Sequence, residues 1–170
     1  MKEFFDVFSD IRDEMEEEHS LVVKTGCRTQ DEHPGNKWGD IALIKILKDE
    51  WSTSPPEQLG NNGVFFAIWV APKHIKKRRA MYNVHALHLA KALGYKLRAN
   101  DFASSFRTRV HDEIQSLPNV STKFGPGNLF QGHVDADITN LKERCMPLIE
   151  TFVAIHHVVD DLLKEGEAVL

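Results

Sequence analysis

The residues best suited to chemistry are cations clustered in one stretch, from Pro72 to Val110. Ten of the 21 Lys and Arg residues lie there against one acid, Asp101, so the stretch carries a formal charge of +9. The whole chain carries −4, so the remaining residues are strongly acidic. Charge distributed this unevenly predicts a surface that attracts phosphate or carboxylate groups. The candidate phosphate-binding or nucleic-acid-binding residues are Lys73, Lys76, Lys77, Arg78, Arg79, Lys96, Arg98, Arg107 and Arg109.

The first part of this basic segment is predicted to be helical. Pro72 suits the first turn of a helix that continues to about Leu93 and ends at Gly94. Five cations would then crowd the N-terminal end, where the helix dipole disfavours positive charge. A bound phosphate would offset that repulsion, which makes nucleic acid the leading candidate for the ligand. The segment has no phosphate-loop, RNA-recognition-motif or zinc-finger signature that would specify it.

The same charges have an interpretation that needs no external ligand. Residues 3–18 are predicted to form an acidic helix with one apolar stripe, and five of its acids lie between Asp13 and Glu18. Those acids could cover the basic segment within one subunit or in a second copy of the chain. A basic face can also simply be solvated. The sequence therefore leaves open a homo-oligomeric interaction protein with complementary acidic and basic helices.

A second cluster of candidate functional residues lies near the end of the chain, at His133, Asp135 and Asp137. On a strand these alternate residues share one face, and an imidazole with two carboxylates could hold Mg²⁺ or Mn²⁺. This arrangement suggests a small metal-dependent enzyme that acts on a phosphorylated substrate, with the basic segment holding the phosphate. The favoured alternative is that Asp135 or Asp137 caps the final helix. No metal is therefore assigned, and no cofactor is predicted.

Other motifs of catalytic chemistry are incomplete. His85 and His88 would share a helix face, as would His156 with Asp160 and His157 with Asp161, but none of these pairs has a third ligand. There is no GxSxG nucleophile motif, and neither of the two cysteines, Cys27 and Cys145, stands in a reactive setting. Whether the protein is an enzyme is left open.

The elements that must position these residues combine helical and strand patterns. The eight apolar residues from Val64 to Ala71 predict a central strand covered on both faces, and they fall short of the ~20 residues needed to span a bilayer. Further strands are predicted at residues 21–25, 41–47, 120–124 and 129–134, with the last two forming a hairpin. For residues 41–47 a helix with Asp40 as its N-cap is the alternative. Further helices are predicted at residues 101–117 and 137–164, and Pro147 should kink or split the second.

Together these patterns predict one α+β domain over residues 1–170, with amphipathic helices packed on a small mixed or antiparallel sheet. The absence of a secretory signal and the presence of only two cysteines predict a cytoplasmic protein with free thiols. The favoured function is a binding module for a polyanion, with nucleic acid first among the candidates. The metal-dependent enzyme and the homo-oligomeric interaction protein are the alternatives.

Overall fold

The computed structural model describes residues 1–15, 21–28, 39–52, 63–89 and 98–167. Five antiparallel strands form one sheet in chain order: β1 (Val22–Arg28), β2 (Ile41–Leu47), β3 (Gly63–Val70), β4 (Arg79–Leu87) and β5 (Asn128–Asp135). The described helices are α1 (Lys2–Met15), α2 (Pro72–Ile75), α3 (Ala99–Arg109), α4 (His111–Ser116) and α5 (Leu141–Glu167), and a short 3-10 turn spans Asp49–Trp51. The predicted α+β fold is confirmed, and its sheet is antiparallel with β3 at the centre.

One side of the sheet, which we call the helix side, packs against α5. Alternate residues of β3 from Val64 to Val70 point to this side, and each is at most 1% exposed. Phe66 stacks on Phe152 of α5 with ring centroids 4.9 Å apart. Burial of each such aromatic side chain contributes roughly 2 kcal/mol, so this layer supplies much of the stability of the fold.

The two terminal helices follow the predicted periodicities. The predicted apolar stripe of this helix consists of Phe4, Phe8, Ile11 and Met15, and these are the buried residues of α1. Residues 16–18 of the predicted helix lie outside the described residues. Helix α5 continues through Pro147 to Glu167, so the predicted split does not occur. Residues on both sides of Pro147, including Cys145 and Leu148, are buried. That shared packing holds the helix together across the missing N–H.

The prediction of a long basic helix after Pro72 is wrong. Helix α2 ends at Ile75, and Arg79 begins β4, which pairs with β3 through seven residue pairs from Gly63–Leu87 to Trp69–Met81. In β4 the residues Ala80, Tyr82, Val84 and Ala86 are buried, which is the two-residue period of a strand. The backbone hydrogen bonds and side-chain packing that β4 gains beside β3 stabilise a strand more than the local helical pattern stabilises a helix. Residues 90–97, with Lys91 and Lys96, lie outside the described residues.

The predicted hairpin near residue 125 is also wrong in its pairing. Residues 120–124 form only one bridge to β5, between Ser121 and Gln131, whereas β5 pairs along its length with β4. The edge of β4 offers β5 a continuous row of backbone partners, so β5 joins the sheet there and the segment before it adds one isolated bridge on the other edge of β5. The predicted helix over residues 101–117 is confirmed as α3 and α4, which meet at Val110.

Within the described ranges, no helix combines the length and the apolar composition that a membrane crossing requires.

Candidate functional site

The connection between β3 and β4, residues 71–78, and the first residue of β4 carry five clustered cations, and we call this segment the basic turn. Lys73, Lys76, Lys77 and Arg78 are exposed, and Arg79 is half-buried. Backbone bonds define its path, with the Lys77 N–H donating to His74 O at 2.9 Å and the Arg78 N–H donating to Ile75 O at 2.9 Å. The rings of His74 and Trp69 make an edge-on contact, with their centroids 4.7 Å apart. This contact anchors the basic turn to the sheet.

Two of the five cations have carboxylate partners in the protein itself. Arg78 donates to Asp137 at 2.5 Å, and Arg79 lies 3.8 Å from Asp135. Within the described residues, Lys73, Lys76 and Lys77 form no ion pair. Two acids of α1 expected near the basic segment pair elsewhere, Asp13 with Arg12 and Glu14 with Lys142. Three ammonium groups of the basic turn are therefore presented to solvent close together.

Arg107, another predicted phosphate-binding residue, is bonded to backbone. Its guanidinium donates to the carbonyl oxygens of Phe124, Gly125, Asn128 and Leu129 at 2.8–3.2 Å. Burial lowers the pKa of Arg107 from its ordinary value. Asn128 and Asp135 stand at opposite ends of β5, roughly 24 Å apart, so Arg107 lies far from the basic turn. Its contacts are those of a residue that holds a loop onto the sheet.

Arg109, another described candidate, also lies apart from the basic turn. Arg109 donates to Glu165 at 2.7 Å, near the C-terminal end of α5, whereas the basic turn meets the segment that precedes α5. Arg98 is exposed directly before α3. The structure therefore brings together Lys73 to Arg79 and does not extend that cluster to Arg107 and Arg109.

The candidate metal ligands do not converge. His133 and Asp135 share one side of β5, but Asp137 lies beyond the strand, where its carboxylate accepts bonds from the Thr139 N–H at 2.9 Å and hydroxyl at 2.5 Å. These bonds and Arg78 lower the pKa of Asp137, with the Thr139 hydroxyl as the largest cause. Helix α5 begins at Leu141, directly after Asn140, so the prediction that Asp135 or Asp137 caps this helix is wrong. In the part of the chain that the structure describes, no three His, Cys, Asp or Glu side chains are placed to hold a metal ion.

The histidine pairs are likewise separated from any ligand set. His85 lies within β4, so it shares no helix face with His88. Asp160 accepts bonds from Lys48 at 2.5 Å and from Trp51 Nε1 at 2.8 Å, which tie the end of β2 to α5. The Asp160 carboxylate therefore joins two structural elements, and it does not act with His156 as a pair of metal ligands.

The side of the sheet opposite the helix side, which we call the polar side, holds residues that the sequence analysis missed. Lys45, Ala67, Asn83 and Gln131 stand directly opposite one another on β2, β3, β4 and β5. Opposed residues of antiparallel strands point to the same side, so their side chains form one row. Lys45 is 6% exposed and Asn83 is 3% exposed, so both polar side chains are buried.

Hydrogen bonds determine how Asn83 and His85 are oriented. His85 Nδ1 lies 3.0 Å from the carbonyl oxygen of Gly127, which can only accept, so Nδ1 carries the proton. Nε2 of the neutral ring then accepts from the side-chain nitrogen of Asn83. Burial lowers the pKa of His85, which is consistent with the neutral form. The side-chain oxygen of Asn83 is buried and has no hydrogen-bond partner within the described ranges of the chain.

Lys45 stands two strands away from Asn83 in the same row. Its ammonium lies 4.1 Å from the ring centroid of Phe65. Burial lowers the pKa of Lys45 to about 8, and the neighbouring charges of Arg28 and Lys24 add to the effect. The sequence could have identified Lys45 as a candidate functional residue, since it is the single charged residue in an otherwise apolar strand. His85 was considered only beside His88, and the pairing of Asn83 with His85 was missed, because that stretch was interpreted as a helix.

A separate open groove of about 530 Å³ lies between α3 and the loop after α4, lined among others by Ser104, His111 and Phe124. Two of its polar groups already have partners, since Arg107 bonds to backbone and the Thr108 hydroxyl donates to Ser104 O at 2.9 Å.

Comparison of the chain with known protein families, with characterised proteins and with solved structures found no match.

Proposed function

We propose that the protein is a binding module for a polyanion, with nucleic acid first among the candidates, and that the basic turn is its contact surface. The observation that supports this function is the exposure of Lys73, Lys76 and Lys77 within five positions, without an ion-pair partner among the described residues. Ammonium groups placed this way neutralise phosphates and release condensed counterions, which drives binding that weakens as salt rises.

The shape of the basic turn favours contact with the phosphate backbone over reading of bases. Helix α2 has only four residues, whereas base readout in a major groove employs a longer helix or a two-stranded ribbon. Lysines on a short turn act as point charges that tolerate many phosphate geometries. We therefore expect similar affinities for nucleic acids of different sequence.

A salt titration of fluorescence anisotropy with labelled DNA and RNA oligonucleotides tests this function. Three phosphate contacts predict that affinity for duplex DNA falls about 40-fold between ~50 and ~200 mM salt. Replacement of Lys73, Lys76 and Lys77 by Gln should reduce affinity at low salt at least about tenfold and flatten the salt dependence.

The matched control replaces Lys2, Lys123 and Lys164, which are exposed lysines elsewhere on the surface, by Gln. This variant has the same net charge as the basic-turn variant, so a general charge effect would weaken both equally. Equal weakening of the two variants, or no binding by the wild-type protein at ~50 mM salt, would contradict the proposed function.

A further inference from the structure

The end of the polar side that adjoins the basic turn exposes a row of side chains. This row lies next to the row of Lys45, Ala67 and Asn83, two residues closer to the basic turn on each strand. Those three residues are buried, whereas all four members of the new row are partly exposed. Neighbouring strands lie ~4.8 Å apart, so four strands make the row roughly 14 Å long. We call this row the sheet platform, and it consists of Leu43, Trp69, Met81 and His133.

The side chains of the sheet platform suit contact with flat rings. Trp69 and His133 are aromatic, and the thioether of Met81 lies between them in the row and packs well against aromatic rings. The ring of His74, which contacts Trp69, adds a further aromatic group from the basic turn. Partly exposed apolar side chains collected at one place, with charged residues around them, are typical of a surface that binds a partner.

The cations of the basic turn adjoin the sheet platform. Trp69 lies two residues before the basic turn, and Arg79 lies two residues before Met81, on the same side of β4. Arg79 also lies close enough to His133 to affect that ring. Burial lowers the pKa of His133, and the charge of Arg79 adds to the effect, which favours a neutral imidazole. A ligand whose phosphates contact the basic turn would therefore have its neighbouring groups over the sheet platform.

Among polyanions, a single-stranded nucleic acid matches this combination of rings and cations. Its bases are unpaired and can leave their own stack, so that their faces become available to aromatic side chains. In a duplex those faces are covered by the adjacent base pairs. Base stacking on aromatic side chains tolerates any base, so it is compatible with the absence of sequence preference expected for the basic turn.

We propose that the sheet platform stacks the bases of a single-stranded nucleic acid whose phosphates contact the basic turn. This inference rests on the proposed polyanion-binding function and narrows its ligand to single strands. Trp69 is the central stacking residue, because it offers the largest ring and also contacts His74 of the basic turn.

Two oligonucleotides with equal phosphate content separate stacking from charge. One is an oligothymidylate of about 12 nucleotides, and the other is an abasic oligodeoxynucleotide of the same length. In fluorescence anisotropy at ~50 mM salt, the wild-type protein should bind the thymidylate at least about fivefold more tightly, since stacking of one base supplies that factor.

Substitutions of Trp69 assign that preference to the sheet platform. Trp69→Leu should remove the preference for thymidylate and leave the affinity for the abasic oligonucleotide unchanged, whereas Trp69→Phe keeps a ring and should retain most of the preference. The matched control is Phe124→Leu, which alters an exposed aromatic residue beside Arg107, away from the basic turn, and should change neither affinity.

A spectroscopic measurement on the wild-type protein provides the same test if Trp69→Leu does not fold. The indole N–H resonance of Trp69, assigned from its absence in Trp69→Phe, should shift when thymidylate is added and stay nearly unmoved with the abasic oligonucleotide. The resonance of Trp51 should not respond, because Trp51 is fully buried.

The outcomes distinguish the sheet platform from the basic turn. Equal affinity of the wild-type protein for the two oligonucleotides, or an undiminished preference in Trp69→Leu, would overturn base stacking and leave polyanion binding by the basic turn intact. Absence of binding to both oligonucleotides would instead contradict the proposed function, and the sheet platform would fall with it.

Discussion

Arg78 donates to Asp137 at 2.5 Å across 59 positions of sequence, and this ion pair joins the basic turn to the segment before α5. The Arg78 side chain is 76% exposed and that of Asp137 is 26% exposed, so the pair lies at the surface. A surface ion pair adds little to stability, but it reduces the positive charge that the basic turn presents to a ligand. The protein's own carboxylates therefore limit its proposed polyanion site.

Asp137→Asn is expected to strengthen polyanion binding about twofold to fivefold and to steepen its salt dependence by about one phosphate contact. The substitution frees the charge of Arg78, while the amide oxygen can still accept from the Thr139 N–H. Anisotropy titrations at several salt concentrations measure both quantities. Asp6→Asn, on the exposed surface of α1, serves as the control. An Asp137→Asn affinity no higher than that of the control would contradict this expectation.

Arg107→Met is expected to lower the free energy of unfolding by about 2–4 kcal/mol, because four backbone carbonyls lose a charged donor. Nucleic-acid affinity should stay unchanged, since Arg107 lies far from the basic turn. Arg109→Met, two residues along α3, removes one charge at an exposed ion pair and should leave the urea midpoint nearly unmoved. Equal stability of the two variants in urea denaturation would show that the Arg107 contacts contribute nothing.

Lys45→Met is expected to stabilise the fold near pH 7, with an advantage that shrinks as pH rises. The pKa of Lys45 is about 8 in the folded protein and about 10.5 in the unfolded chain. The unfolded chain therefore binds more protons between these pH values, and the free energy of unfolding of the wild-type protein increases as pH rises through them. Between pH 7 and 9.5 the difference between variant and wild type should fall by about 2 kcal/mol. Urea denaturation at both pH values measures it. A difference independent of pH would mean that the pKa of Lys45 is not lowered.

Gly132→Ala is expected to destabilise the protein by about 1–3 kcal/mol through overpacking. Gly132 stands directly opposite Tyr82, and an added Cβ would overlap the ring and hydroxyl of that tyrosine. Tyr82 is fully buried and donates to Pro118 O at 2.6 Å, so it cannot easily move aside. Gly125→Ala, where nothing lies within 4 Å of the added atom, is the control in thermal unfolding. Equal melting temperatures for the two variants would contradict the close approach.

The elements predicted best from sequence were those whose apolar period is both long and local. The stripe of α1 and the long C-terminal helix each bury the side chains that their patterns indicated, whereas residues 41–47, whose pattern suited a strand or a helix, form β2. Val64 to Val70 likewise became the centre of the sheet, because a stretch without polar alternation must be covered on both sides. Such patterns depend only on neighbours in the chain.

The errors occurred where the outcome depended on a distant partner. Lys76 to Arg79 suit a helix locally, yet β3 offers the following residues a full ladder of backbone hydrogen bonds. The roles of Arg78 and Arg107 were also out of reach, since their partners lie 59 and about 20 positions away and no spacing rule links them. Phosphate binding by the candidate residues stays a prediction, but the structure places Arg107 and Arg109 apart from the basic turn.

By itself the sequence determined the class of fold, the apolar faces of α1, β3 and α5, and the concentration of positive charge after Pro72. These follow from composition and from periods of two or 3.6 residues. Only the tertiary structure decided which cations remain exposed and which are matched, and only it aligned Lys45, Ala67, Asn83 and Gln131 across four strands. The physical reason is that strand register and ion pairing join residues far apart in the chain, and the free energy that selects them is gained only when the whole sheet assembles.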